Sequence, residues 1–284
     1  MTDNAYWLIG ISVLMHVAWN LLARHVDKRA NYLWWGLLAH LLILGPYAFW
    51  SLVVDSTWSA TLVQAMLASA SANALYFIAL RRAYHYAPVA LVYPLARSSP
   101  LLIAIWTLLW FEADITMQEI IAISVSVLGL WVLAASTRNG DVKHVIFWTF
   151  VAALSTSVYS ISDKLAVASL PSFSSQLGFI SVGYLVSFMA LSYEQVKETA
   201  HWVPPRRPKW MYIIMGGLFI GTAYALVVRA MRELPASHVV SFTNAGIVLA
   251  VFLSIFVFKE KENWKQRLSG ALIVSSGLIF LKWL

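Results

Sequence analysis

Ten apolar runs, each close to the length that crosses a bilayer, decide what this chain can fold into. They lie at about 5–23, 32–54, 60–84, 88–111, 117–136, 144–167, 173–193, 210–231, 236–258 and 266–283. A transmembrane helix takes roughly 20 apolar residues. Lipid gives a peptide group no hydrogen-bond partner, so only helices and closed barrels span it. These runs are too long and continuous for barrel strands. The sequence therefore predicts an all-α polytopic membrane protein with ten transmembrane helices. Charged residues are 12% of the chain, against about 25% in soluble proteins. No stretch between the runs is large enough for a soluble catalytic domain.

Most connections are short, which makes successive helices antiparallel neighbours. The longest, Glu194 to Lys209, contains Pro204-Pro205-Arg206-Arg207-Pro208 and reads as an exposed loop. Thr137-Arg138-Asn139-Gly140-Asp141 divides the runs into two sets of five, giving halves at 1–137 and 144–284. The halves share a pattern. Arg82-Ala83, Pro88, an apolar helix ending near Glu112 and Gly129-Leu130 match Arg229-Ala230, Pro235, an apolar helix ending near Glu260 and Gly277-Leu278. Five helices per half is odd, so the two copies must insert with opposite orientation. Such inverted repeats build many secondary transporters, with the site at the midplane between the repeats.

Lys and Arg set the orientation of such a chain, because cytoplasmic connections carry the excess. Connections after the odd-numbered runs hold fifteen of them; the opposite side holds four, Lys164, Arg229, Arg232 and Lys282. This places both termini outside the cytoplasm. It also accounts for the net charge of +7 without a nucleic-acid partner. No basic region precedes the first run, which starts at Ala5, so no cleavable signal is expected.

One cation is out of place. Arg97 lies nine residues into run four, between Pro94 and Pro100. Insertion of Arg at mid-membrane costs at least about 2.5–3.5 kcal/mol. Arg97 is therefore a candidate anion-binding or gating charge, or else a charge that pairs with a neighbouring helix and locks packing. Tyr93, one turn earlier, shares its face. Pro94 removes a backbone donor and can open the helix. Asn244 is nine residues past Pro235, as Arg97 is past Pro88, and is its repeat-mate.

His16, Trp19 and Asn20 stand at i, i+3 and i+4 on one face of run one. They offer a titratable ring, a stacking surface and an amide, or else hydrogen bonds between helices. Asn73 and Tyr76 form a polar spot beside the small residues Ser69-Ala-Ser-Ala72, a run suited to close packing. Asp163 and Lys164 follow Tyr159 on run six. Asp163 can pair with Arg97 or take a proton; the plainer reading puts both residues at the interface, with Lys164 snorkelling. Ser241, Thr243 and Tyr224 are weaker candidates. His40, alone on an apolar run, reads as structural, and Gly217 with Gly221 as a helix contact. There is no cysteine, and no metal-ligand spacing, phosphate loop or nucleophile motif. Neither an enzyme, an ATP-driven pump nor a cofactor is expected.

The residues also carry a resemblance. His16-Val-Ala-Trp19-Asn20 is similar to a His-Ala-x-Trp-Asn signature, and Val92 through Pro100 to a helix-four motif, of EamA-type transporters in the drug/metabolite transporter superfamily. That resemblance implies ten helices in two inverted five-helix repeats over nearly the whole chain. It implies both termini in the cytoplasm, opposite to the charge count, which we follow. Phe111-Glu112 and Lys259-Glu260 stand where the family usually has Gly-Glu. The expected function is secondary transport of a small organic metabolite, anionic or zwitterionic, by alternating access in the inner or plasma membrane. Runs one, three, four, six, eight and nine would line a central cavity. Arg97, Tyr93, Trp19, Asn20, His16, Asn73, Tyr76, Tyr159 and Asn244 are the candidate substrate contacts, and His16 and Asp163 the candidates for proton coupling. A lipid or lipid-linked headgroup translocase is the alternative. Partners are the substrate and the bilayer, and the chain acts as a monomer or homodimer.

Overall fold

The computed structural model describes residues 2–24, 26–27, 30–110, 115–136, 141–260 and 262–284, and all regular elements among them are helical. In chain order they are α1 (Thr2–Arg24), α2 (Tyr32–Ile43), α3 (Gly45–Asp55), α4 (Ala60–Tyr86), α5 (Val89–Ala96), α6 (Ser99–Trp110), α7 (Met117–Ala135), α8 (Val142–Ala166), α9 (Phe173–Thr199), α10 (Trp210–Ala230), α11 (Ala236–Thr243), α12 (Ala245–Phe252) and α13 (Trp264–Lys282). A π-helical turn, Leu253–Val257, extends α12.

Eight spans are long and apolar enough to cross a membrane among the described residues, and a bent pair would make nine. The chain is thus a multi-pass membrane protein, with two departures from the expected ten. Run two is bent by 57° between α2 and α3, where Pro46 supplies no N–H at the start of α3. Run ten forms α13, which is 19 residues long. Lys265, Gln266 and Arg267 in its first turn and Lys282 at its end leave it short on apolar composition. Glu112 and most of the 137–141 connection lie outside the described residues.

Packing divides the chain into two units, Met1–Ile78 with Ser162–Leu234 and Ala79–Ile161 with Pro235–Leu284. Each unit takes helices from both halves of the sequence. In the first, Leu37, Leu62, Leu170, Leu177, Ile180 and Val228 belong to one apolar core. Its helices approach through glycine. A Cβ on Gly217 would meet Ala39 Cβ at 2.6 Å, one on Gly216 would meet the Tyr32 hydroxyl at 2.7 Å, and one on Gly221 would enter the His40 ring. Gly217 and Gly221 therefore seat α10 on α2. His40 is fully buried and its Nε2 lies 2.9 Å from Ser181 Oγ, so its placement is structural.

The second unit packs α7 against α13 by the same device, used in both directions. A Cβ on Gly129 of α7 would meet Val274 N at 2.5 Å, and a Cβ on Gly277 of α13 would meet Ser126 N at 2.6 Å. Leu130, Leu133, Ile247, Val251, Val274 and Leu278 fill the core beside this seam.

Within each unit the connections sort by parity. In the first, the connection after run one meets that after run seven, where Arg206 pairs with Asp27. At the other end, Thr57 N donates to Ser169 O (3.0 Å) and Arg232 Nη1 to Pro171 O (3.1 Å), joining the connections after runs two, six and eight. In the second unit, Asn263 Nδ2 donates to Ser136 O (2.8 Å) and Asp141 N to Tyr86 O (3.4 Å), joining those after runs nine, five and three. The His144 ring, hydrogen-bonded to Asp141 at 2.7 Å, holds that exposed carboxyl below the usual range. This sorting is what antiparallel spans with short connections must produce.

Candidate functional site

Arg97 sits at a break in its span. Pro100 has no N–H to give Ala96 O, four residues earlier, so the α-helical ladder fails there. Leu101 N turns instead to Ser98 O (3.4 Å) and Ser98 N to Leu95 O (3.2 Å), leaving α5 and α6 as separate helices. Pro94, expected to open the helix, stays inside α5; the opening lies three residues further on. The Arg97 guanidinium lies over the Tyr93 ring, 5.5 Å from its centroid, a cation–π distance.

Asn244 marks the matching break between α11 and α12. Here no proline acts, and the ladder tightens to i→i+3 bonds: Asn244 N to Ser241 O and Ile247 N to Asn244 O, both 2.9 Å. Asn244 is fully buried, and its Nδ2 donates to Arg97 O at 3.3 Å. Asn244 and Arg97 thus meet, in one unit. A carbonyl can only accept, so this bond fixes which end of the amide is which. Asn244 Oδ1 and the buried Ser99 Oγ have no hydrogen-bond partner among the described residues. Tyr159, buried in the same unit, belongs to the core of α8.

The first unit holds the other candidates. Asp163 is fully buried, and Ser69 Oγ donates to its Oδ1 at 2.5 Å while the Tyr224 hydroxyl donates to Oδ2. Lys164, next in sequence, is partly buried. Its Nζ donates to Met231 O (2.5 Å) and Leu234 O (3.1 Å), capping the C-terminal end of α10. Arg229 and Arg232 return the favour, each donating to Pro171 O after α8.

His16, Trp19 and Asn20 share a half-buried face of α1, as their spacing requires. His16 Nδ1 lies 2.9 Å from Ser12 O, so it carries the hydrogen. Ser12 Oγ donates to Ala223 O at 2.7 Å, tying α1 to α10. Asn20 Nδ2 turns back to His16 O at 2.7 Å. Trp19 and Tyr32 rings are 6.3 Å apart, and Trp19 Nε1 is buried with no acceptor among the described residues. Asn73 Oδ1 accepts from Ser187 Oγ at 2.8 Å. Tyr76, Trp19 and Tyr224 all border the apolar core.

One buried polar pair was not among the residues the sequence singled out. His238 Nε2 on α11 lies 2.9 Å from Glu119 Oε1, with both side chains largely buried. Glu119 Oε2 meanwhile accepts from Thr116 N (2.7 Å), closing a capping box on α7. The Thr-x-x-Glu spacing was visible in the sequence; its long-range partner was not.

Residues 143–282 match the model of the EamA-like transporter family. The second half of the chain is of the EamA type. A Sinorhizobium protein described as an uncharacterized transporter in the cobO 3' region is 22% identical to this chain over 136 residues, 47% of this chain and 93% of its own. A crystal structure that is 14% identical superposes with a TM-score of 0.74 over 98% of this chain and 97% of its own. At that identity it speaks for the fold alone. The family match and the Sinorhizobium relative support a membrane transporter of the drug/metabolite type.

Proposed function

We propose that this chain is a secondary transporter of a small organic anion or zwitterion, working by alternating access. In this reading its spans number ten and form two inverted five-helix repeats. The reading rests on one observation above others. The break in the Arg97 span carries that guanidinium, a buried Ser99 hydroxyl and, bonded through its Nδ2 to Arg97 O, the buried side chain of Asn244; Ser99 Oγ and Asn244 Oδ1 have no hydrogen-bond partner among the described residues. Buried polar atoms are nearly always satisfied, and unmatched ones at a broken span mark the kind of place where transporters hold a ligand. The set has a cation for a carboxylate, phosphate or phosphonate, and an acceptor for an N–H or O–H of the same ligand. The repeat arrangement is supported by the paired breaks at Arg97 and Asn244 and by the two-way glycine contact of Gly129 and Gly277.

Purified protein screened by thermal shift against amino acids, carboxylates, phosphonates, sugars and lipids tests this, since a ligand of the native state raises stability. A carboxylate, phosphonate or amino acid should raise the midpoint. Arg97→Ala should fold with an unaltered baseline and lose that rise, and Arg97→Lys should keep part of it. A ligand that stabilises Arg97→Ala as well as the parent overturns the reading. If only lipids in vesicles, and no free headgroup analogue, give the Arg97-dependent rise, the chain is a lipid translocase instead.

A further inference from the structure

We infer that Asp163 is an intramembrane proton site, built so that its two hydroxyl partners serve the carboxyl in both of its charge states. Asp163 is fully buried in the first unit, within a span. Its recorded partners are Ser69 Oγ on α4 and the Tyr224 hydroxyl on α10, one on each carboxylate oxygen. No cation bonds it among the described residues. Lys164, next in sequence, turns to the carbonyls of Met231 and Leu234. Arg229 at the end of α10 and Arg232 just beyond it donate to Pro171 O. His16 of α1 is held at Ser12 O, the Tyr184 hydroxyl of α9 donates to Ile220 O, and Asn73 of α4 is bonded to Ser187.

A lone ionised carboxylate at membrane depth is costly, and nothing here repays it with an opposite charge. A proton does. The partners fit this because both are hydroxyls, which donate or accept as they rotate; backbone or amide N–H groups would serve only the ionised form. In the ionised state both hydroxyls donate to Asp163. On proton uptake the carboxylate becomes –COOH, and its new O–H donates to one hydroxyl oxygen. At Ser69 the displaced hydrogen turns to the α4 backbone one turn back, a bond serine makes readily in helices. No bond to carbon changes, and the one proton gained comes from solvent. α8, α4 and α10 are thereby held by a junction whose pattern depends on protonation. That this proton drives transport rests on the transporter reading above; the site itself does not.

Infrared difference spectra of the protein in liposomes, taken as pH is stepped through neutrality, read the site without any substrate. The parent should show a protonated-carboxyl C=O band that disappears as pH rises. Asp163→Asn, which keeps the side-chain volume, should lack it. Tyr224→Phe and Ser69→Ala each remove a donor to the ionised form, so the midpoint should move to higher pH in both, by roughly one pH unit or more. These variants keep the inference open to refutation if Asp163→Asn does not fold. No titrating carboxyl band in the parent, a band that survives in Asp163→Asn, or midpoints indifferent to both hydroxyl deletions overturns it. So does a midpoint set by sodium concentration, which would make the site one for a metal cation. Arg97→Ala should leave the titration intact, so failure of the anion site and failure of the proton site are separately visible.

Discussion

At the scale of single residues, Lys259 is a strained position with an evident remedy. Its φ of 56° is left-handed, a conformation that costs a side chain with a Cβ about 1–2 kcal/mol. The turn is pinned regardless: Glu260 N donates to Ser254 O at 3.0 Å, and Arg267 bridges Glu260 and Ser254. The EamA pattern has glycine here, and the geometry explains why. Lys259→Gly should stabilise by up to about 1 kcal/mol, after the entropy glycine gives up on folding. A thermal midpoint that fails to rise counts against this. Glu119 offers the opposite case, since one carboxylate both caps α7 and holds His238. Glu119→Ala should cost about 2–4 kcal/mol, because it leaves a largely buried His238 without its partner. A double-mutant cycle with His238→Ala should show coupling, and strict additivity would mean that the pair contributes nothing.

Helix contacts in this protein depend on the absence of side chains as much as on their presence. Gly129 and Gly277 each face the backbone of the opposing helix, which cannot rotate away as a side chain can. Gly129→Ala and Gly277→Ala should each destabilise by about 1–3 kcal/mol. Gly10 on α1 is the control. Nothing lies within 4 Å of a Cβ there, so Gly10→Ala should be neutral or gain up to about 1 kcal/mol from helix propensity. Unfolding midpoints of the three variants decide the matter, and equal losses at all three would refute the contact argument. This is also the scale at which the sequence is least legible. Run length announces a span, and a charge inside a run announces Arg97. Yet the bend before α3 and the break before α6 depend on which carbonyl a proline orphans. The partners of Asp163 and Glu119 are far from them in the chain, and no local pattern points to Ser69, Tyr224 or His238.

For the molecule as a whole, the chain's lack of cysteine makes its orientation directly testable. The charge count puts the Glu194–Lys209 connection in the cytoplasm and the one after α3 outside. Single cysteines at His201 and Thr57, both exposed, should react with an impermeant maleimide from opposite sides: His201→Cys only in inverted vesicles and Thr57→Cys only in intact cells. The reverse result would restore the orientation that the family resemblance implies. The span pattern and the sorting of connections were readable because both follow from hydrophobic length and short linkers. The packing units were not, because each is assembled from both halves of the chain.

The carbonyl caps made by Lys164, Arg229 and Arg232 bear on how a solute first meets this protein. With the odd-numbered connections on one side of the bilayer, that side carries fifteen basic and six acidic side chains, and the other four and six. Three of those four cations donate to backbone carbonyls. A dissolved anion is therefore concentrated near one face and not the other, over a range of about 8–10 Å at physiological ionic strength. Capture from the basic face should slow as salt is added, while capture from the opposite face should hardly respond, giving the carrier a kinetic direction that its equilibrium affinity does not contain.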